Sequence, residues 1–161
     1  RDDALILFLL NQTNVKLGFS KFSQLLAKDP LSLTALELIE KSTSKSFIEE
    51  AIEYIKEIVR PEVYDYMKDN STLVLPPQFF ALSKWHEVLL NKMIQFHLLD
   101  YDYIWQLLHF PDHIVRVKVI ELLKSLNLLN KKEVRLFLYP VYKDEMDREL
   151  KNEFEKIVWQ R

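Results

Sequence analysis

The 161-residue chain contains no cysteine and only one glycine, Gly18. Without cysteine there are no disulfides and no thiolate metal ligands, which fits a reducing compartment such as the cytoplasm, although exported proteins can lack cysteine too. Phosphate-binding loops, nucleophile elbows and two-residue β-hairpins place glycine where φ is positive or where the backbone approaches a ligand closely. The single glycine therefore excludes P-loop, Rossmann and α/β-hydrolase enzymes and disfavours β-sandwiches.

The sequence also lacks a long apolar run and a dominant charge. Its longest apolar run, residues 4–10, is far shorter than the roughly 18 residues that cross a bilayer, so we expect no transmembrane segment. A net charge of -2 argues against general nucleic-acid binding, because such binding depends on neutralising phosphates. The chain starts at Arg1 without a signal-peptide pattern, and we interpret residues 1–161 as a single domain from a longer protein.

Apolar side chains at helical spacing are what the chain has in quantity. Hydrophobic residues make up 48% of it and aromatic residues 12%, which is enough for a packed core. Residues 69–77 form the one predicted irregular loop, and the strand-like composition of residues 134–142 leaves a strand as the alternative there. Periodicity and corner residues predict helices over 1–12, 17–28, 31–41, 44–59 (with Ser44 as N-cap), 61–67, 79–98, 101–109, 113–129, 131–143 (interrupted by Pro140) and 147–159.

Part of the sequence recurs. Residues 24–30 (QLLAKDP) and 36–39 (LELI) have an echo in residues 106–112 (QLLHFPD) and 120–123 (IELL). Corner aspartates at positions 29, 69, 112 and 144 are separated by 40, 43 and 32 residues, a spacing typical of helical-hairpin repeats. Because one hairpin cannot bury its own apolar face, such repeats stack into a continuous core.

Residues 103–116 (YIWQLLHFPDHIVR) resemble a HEAT repeat. The family pattern is a first helix ending in Leu-Leu, a corner with Pro and Asp, and Val-Arg opening the second helix. The resemblance is good over residues 101–129, fair over 134–159 and weak over 22–41, where Thr34 occupies the Arg position. It implies an all-α fold, specifically a right-handed α-α superhelix of about four stacked helical hairpins, as in armadillo-like α-solenoids.

Four residues carry the structural part of this resemblance. Asp112 and Arg116 match the Asp and Arg positions of the family. Asp144 and Arg148 repeat the four-residue spacing, with Asp147 in place of the expected Val. The resemblance implies that these side chains link the corners of adjacent repeats by hydrogen bonds.

The four histidines give no metal-site pattern. His109 and His113 are four residues apart, but Pro111 interrupts the helix that would aim both rings at one ion, so we interpret them as corner residues. His86 and His97 are eleven residues apart, about three helical turns, which is too far to share a metal. We expect no metal or other cofactor.

The charged residues give no catalytic pattern but are unevenly distributed. Glu49, Glu50, Glu53 and Glu57 lie opposite the apolar stripe of their helix, so a solvated face is expected rather than a pair of catalytic carboxylates. Residues 45–69 carry four basic and seven acidic side chains, whereas residues 116–135 carry six basic and two acidic. One interpretation is that this charge asymmetry steers a charged partner. The simpler interpretation is ordinary variation of surface charge.

These observations favour a non-catalytic protein-interaction or scaffold module. Its partner would be another protein or another domain of the same parent chain, bound on an inner surface formed by the second helix of each hairpin. One alternative is a HEAT-like glycosylase that removes alkylated bases from DNA, which would need a strongly basic groove and a catalytic carboxylate; another is a soluble regulatory domain of a membrane protein. The predicted contact residues are Tyr101, Tyr103, Arg116, Lys118 and Lys124, with both tyrosines expected at the surface.

Overall fold

The structure, a computed structural model, describes residues 2–11, 14–58 and 77–159. Within these ranges the chain is all-α, as predicted, and contains no strand. The predicted helix over 61–67 and most of the predicted loop over 69–77 lie outside the described residues. The helices are α1 (Asp2–Asn11), α2 (Val15–Lys28), α3 (Leu33–Lys41), α4 (Lys45–Ile58), α5 (Pro77–Phe96), α6 (Tyr101–Leu108), α7 (His113–Ser125), α8 (Lys132–Asp144) and α9 (Arg148–Val158).

Six of the described helices begin beside a short polar side chain that caps them. Each capping oxygen accepts a hydrogen bond from a backbone N–H two or three residues later, which satisfies a donor that has no partner inside the helix. Ser44 caps α4 as predicted, through a 3.2 Å bond from the Phe47 N–H. The six capping residues are Asn14, Ser32, Ser44, Asp100, Asp112 and Asp147.

Two helices end earlier than predicted because non-glycine residues adopt a left-handed conformation. His97 follows α5 with φ 56° and Asn127 follows α7 with φ 57°. In each case the next N–H turns back to a carbonyl five residues earlier, Leu98 to Met93 and Leu128 to Leu123. This is the Schellman arrangement, which usually uses glycine. The predicted ends at residues 98 and 129 are therefore too late.

The boundaries of α5 and α8 correct two further expectations. Pro77 was expected to end the loop but is the first residue of α5, where its fixed φ suits a helix start. Residues 134–142 are helical despite their strand-like composition, and Pro140 lies inside α8. Val134, Leu138 and Val141 are buried at helical spacing, so burial of this face outweighs local strand preference.

The described helices pack mainly on their neighbours along the chain. Among the described helices, contacts join the successive pairs α1–α2, α2–α3, α3–α4, α4–α5, α6–α7 and α8–α9. Contacts also join pairs with one described helix between them: α1–α3, α2–α4, α3–α5 and α5–α7. One continuous apolar core runs from Ile6 in α1 to Ile157 in α9. No described helix is both long enough and apolar enough to cross a membrane.

Candidate functional site

Arg116 ties two corners of the chain together. Its Nη1 donates to the Phe110 carbonyl at 2.6 Å, in the corner between α6 and α7. Its Nε and Nη2 donate to the two carboxylate oxygens of Glu145 at 2.8 and 2.9 Å, in the corner between α8 and α9. The side chains are only 12% and 1% exposed, so this bidentate pair is shielded from solvent.

The polar groups around this pair complete the network. Glu145 also accepts a 2.9 Å hydrogen bond from the Asp147 N–H. Asp112 caps α7 through the Ile114 N–H and accepts from the Ser83 hydroxyl of α5 at 2.9 Å. Charges removed from water need such a full set of partners, because desolvation offsets much of their mutual attraction. We call these residues (Ser83, Asp112, Arg116, Glu145 and Asp147) the corner cluster.

The corner cluster contains only part of the predicted repeat pair. Arg116 joins two corners of the chain, whereas the Asp112 side chain binds the start of its own helix and Ser83 within α5. Asp144 ends α8 and Arg148 begins α9, and both side chains are exposed. The acidic partner of Arg116 is Glu145, one residue later than Asp144. The reason is that α8 continues through Asp144, whose side chain faces solvent, so Glu145 is the first residue free to turn inward.

A second polar tie joins the corner between α3 and α4 to two other helices. Asn11, the last residue of α1, accepts hydrogen bonds from the Ser42 hydroxyl at 3.0 Å and the Thr43 N–H at 2.9 Å. Lys92 of α5 donates to the Ser42 carbonyl at 2.8 Å. Burial lowers the pKa of Lys92, and the nearby charge of Glu40 opposes this shift. Corners at both ends of the described chain are thus fixed by side chains from other helices.

The predicted contact residues are divided between core and surface. Tyr103 is 0% exposed and therefore not a surface residue, contrary to expectation, whereas Tyr101 is 44% exposed. Residues two positions apart in a helix are separated by about 200° around its axis, so Tyr101 and Tyr103 cannot share a face. Arg116 is committed to the corner cluster, and Lys118 donates to Asn91 of α5 at 3.0 Å. Lys124 is exposed in the last turn of α7.

An aromatic groove lies between α6 and α8. Tyr101 and Trp105, one turn apart on α6, contact the ring of Phe137 on α8 edge to face, at centroid distances of 5.8 and 5.0 Å. Trp105 is 38% exposed, so both α6 rings keep a solvent-facing part. Lys56, Asp102 and Gln106 complete a hollow of about 460 Å³ around these rings. The rings that line this hollow thus belong to α6 and α8.

An acidic hollow adjoins the aromatic one. Its volume is about 310 Å³, and Asp100 shares an ion pair with Lys56 at 2.7 Å, at the boundary between the two hollows. Glu53 binds the same ammonium at 3.0 Å. Burial lowers the pKa of Lys56, but its hydrogen bonds to Asp100 and Glu53 outweigh this and leave the pKa raised. The acidic hollow is lined by Glu49, Glu50, Ile52, Glu53, Leu98, Leu99 and Asp100.

The two hollows together form what we call the acidic–aromatic groove. The predicted solvated face of α4 is confirmed, since Glu49, Glu50, Glu53 and Glu57 are all exposed. What sequence patterns did not reveal is that this face ends beside Tyr101 and Trp105. The only signal available was the clustering of aromatics with Asp100 and Asp102 in one segment. That this aromatic segment lies beside the acidic face of α4 depends on tertiary packing.

Two of the histidines, His86 and His109, make contacts within the protein. His86 is fully buried, with Nδ1 2.6 Å from the Tyr103 hydroxyl and its ring against Phe110. Burial lowers the pKa of His86 to about 3. His109 Nδ1 lies 2.8 Å from the Trp105 carbonyl. Among the described residues no group of three or more His, Asp or Glu is arranged to hold a metal ion.

Comparisons of this chain with protein-family models, curated proteins and solved structures found no match. The HEAT resemblance of residues 103–116 therefore rests on the motif itself. The structural grounds for a function are the corner cluster and the acidic–aromatic groove.

Replacing Arg116 by alanine is expected to lower the free energy of unfolding by about 3–5 kcal/mol, because it leaves the buried Glu145 carboxylate without its cation. The matched control is Arg148→Ala, which removes an exposed arginine and should change stability by less than about 0.5 kcal/mol. Urea unfolding followed by circular dichroism measures both. Equal effects of the two substitutions would show that the corner cluster does not stabilise the fold.

His86 is expected to make the protein less stable as the pH falls from about 6.5 to about 3. In this window the unfolded chain binds a proton at His86 that the folded chain does not, so stability is lost by up to about 1.4 kcal/mol per pH unit. The measurement is the free energy of unfolding against pH for the wild type, His86→Phe and the exposed control His113→Phe. A shallower slope is expected for His86→Phe only, and unchanged slopes in both variants would contradict the assignment.

Proposed function

We propose that this chain is a non-catalytic protein-interaction or scaffold module, built as a right-handed superhelix of stacked HEAT-like helical hairpins. The packing order supports this architecture: the main contacts join described helices that follow one another or that have one described helix between them. In a stack of repeats each unit contacts only its neighbours, whereas a closed bundle brings its first and last helices together. The resulting long surface suits an interaction module.

The corner cluster supports the repeat assignment independently. Arg116 lies in the Val-Arg motif that opens the second helix, and it binds the corners of two successive hairpins. The resemblance implied corner-to-corner hydrogen bonds of this kind. Fixed corners hold the hairpins at a constant angle, so the surface that they expose is preorganised for a partner.

The acidic–aromatic groove is the observation that carries the interaction function. Tyr101 and Trp105 are partly exposed, are held by Phe137 and lie beside charged side chains. Binding energy at protein interfaces concentrates on such aromatic residues, because a rigid ring buries a large area at little cost in conformational entropy. The carboxylates around the groove repel phosphates, which makes it unsuitable for the nucleic acid that a glycosylase would bind.

The test is affinity capture from a lysate of the source organism, using the immobilised wild-type chain and a Tyr101→Ala/Trp105→Ala variant. The control variant is Phe8→Ala/Leu33→Ala, which removes two exposed apolar side chains from α1 and α3. We expect a protein that is enriched by the wild type and the control and lost from the groove variant, as measured by quantitative mass spectrometry. Circular dichroism verifies that all three proteins are folded. Identical captured sets for all three would contradict the proposed function.

A further inference from the structure

We propose that the acidic–aromatic groove binds a basic, arginine-containing peptide segment of a protein partner. This inference rests on the proposed interaction function and adds the chemistry of the partner. The groove combines two features that a single arginine side chain can use together: carboxylates that accept hydrogen bonds and aromatic rings on which a guanidinium can stack.

The charge of the groove favours a cationic occupant. Carboxylates line it from two elements: Glu49, Glu50 and Glu53 on α4, and Asp100 and Asp102 around the start of α6. The cation within the groove is Lys56, whose ammonium is already bound by Asp100 and Glu53. Within the described ranges no ion pair involves Glu49, Glu50 or Asp102. An incoming cation therefore finds carboxylates that no described residue neutralises.

The aromatic rings favour arginine over lysine. Tyr101 and Trp105 are held at 63° and 60° to the Phe137 ring, and each remains more than a third exposed. A planar guanidinium stacks on such a ring while donating two hydrogen bonds to one carboxylate, which the compact ammonium of lysine cannot do. Asp102 lies one residue from Tyr101 and lines the same hollow as both rings. Ring and carboxylate are thus presented together.

The shape of the groove favours an extended segment over a folded surface. The two hollows, of about 460 and 310 Å³, meet at the Lys56–Asp100 pair. Each has the size of a site for a single side chain or small ligand. Leu99 is 39% exposed at the acidic hollow and offers an apolar contact there. A segment that alternates basic and apolar side chains matches this order of carboxylates, apolar contact and rings.

The experiment is fluorescence anisotropy with a labelled synthetic peptide that alternates arginine with leucine, titrated with the whole chain. We expect binding that weakens with added salt. Binding should be about tenfold weaker for the same peptide with lysine in place of arginine and absent with glutamate in place of arginine. Equal affinity for the arginine and lysine peptides, or stronger binding of the glutamate peptide, would overturn the inference.

Two matched charge reversals place the binding at the groove. Glu50→Lys/Asp102→Lys alters the groove, and Glu153→Lys/Glu155→Lys makes the same change in net charge on exposed positions of α9. The groove pair should weaken arginine-peptide binding about tenfold or more, and the α9 pair should leave it within about twofold. Equal losses in both pairs would show non-specific attraction to an acidic protein and overturn the site.

Other occupants give different outcomes. If sedimentation shows that the wild type self-associates and Tyr101→Ala/Trp105→Ala does not, the groove binds a second copy of the chain and the basic-peptide inference fails. If lysate capture finds a groove-dependent protein but the arginine peptide does not bind, the inference fails while the interaction function stands. If the peptide binds at the groove and capture finds no groove-dependent protein, the function fails while the groove chemistry stands.

Discussion

The apolar faces of the described helices are the constraint on which the rest of the structure depends. Many of these faces are wider than one partner covers, so α2, α3 and α5 each pack on at least three other helices. The ring of Phe22 on α2 contacts Phe47 on α4 edge to face at 4.9 Å, across the intervening α3. The hydrophobic contribution is therefore distributed along the chain from α1 to α9.

Polar backbone groups at the buried corners must form their hydrogen bonds within the protein instead of with water. Helix ends carry backbone N–H and C=O groups that lack partners within the helix, and stacking places several of these ends inside the protein. Side-chain caps satisfy the N–H groups, while Lys92 and Arg116 supply donors to the carbonyls of Ser42 and Phe110. Lys92 comes from α5, and Arg116 also binds Glu145 after α8, so these corner bonds hold distant segments of the chain together. The acidic–aromatic groove depends on such packing between distant segments, because α4, α6 and α8 contribute to it separately.

Much of the fold could be predicted from sequence because helix signals are local. Apolar spacing gave the all-α class and placed each described helix approximately, and Ser44 was recognised as a cap from its side chain alone. The errors came where a local rule had an exception, as at His97 and Asn127, which end helices in a conformation that usually takes glycine. The strand-like composition of residues 134–142 was misleading for a different reason. Tertiary burial of Val134, Leu138 and Val141 on one face favoured a helix over the local strand preference.

The site was less predictable because it depends on contacts between distant segments. Tyr101 and Tyr103 have the same side chain and near-identical positions in the sequence, yet helix geometry places one outside and the other in the core beside His86. The pairing of Arg116 with Glu145 instead of Asp144 depends on the last turn of α8, which no sequence signal specifies to a single residue. The approach of the acidic face of α4 to Trp105 depends on tertiary packing alone.

Small-angle X-ray scattering tests the stacked architecture most directly. A closed bundle predicts a symmetric distribution of interatomic distances, because its first and last helices lie side by side. A linear stack of hairpins predicts an asymmetric distribution with a tail at long distances, because each unit contacts only its neighbours. A symmetric distribution would contradict the account.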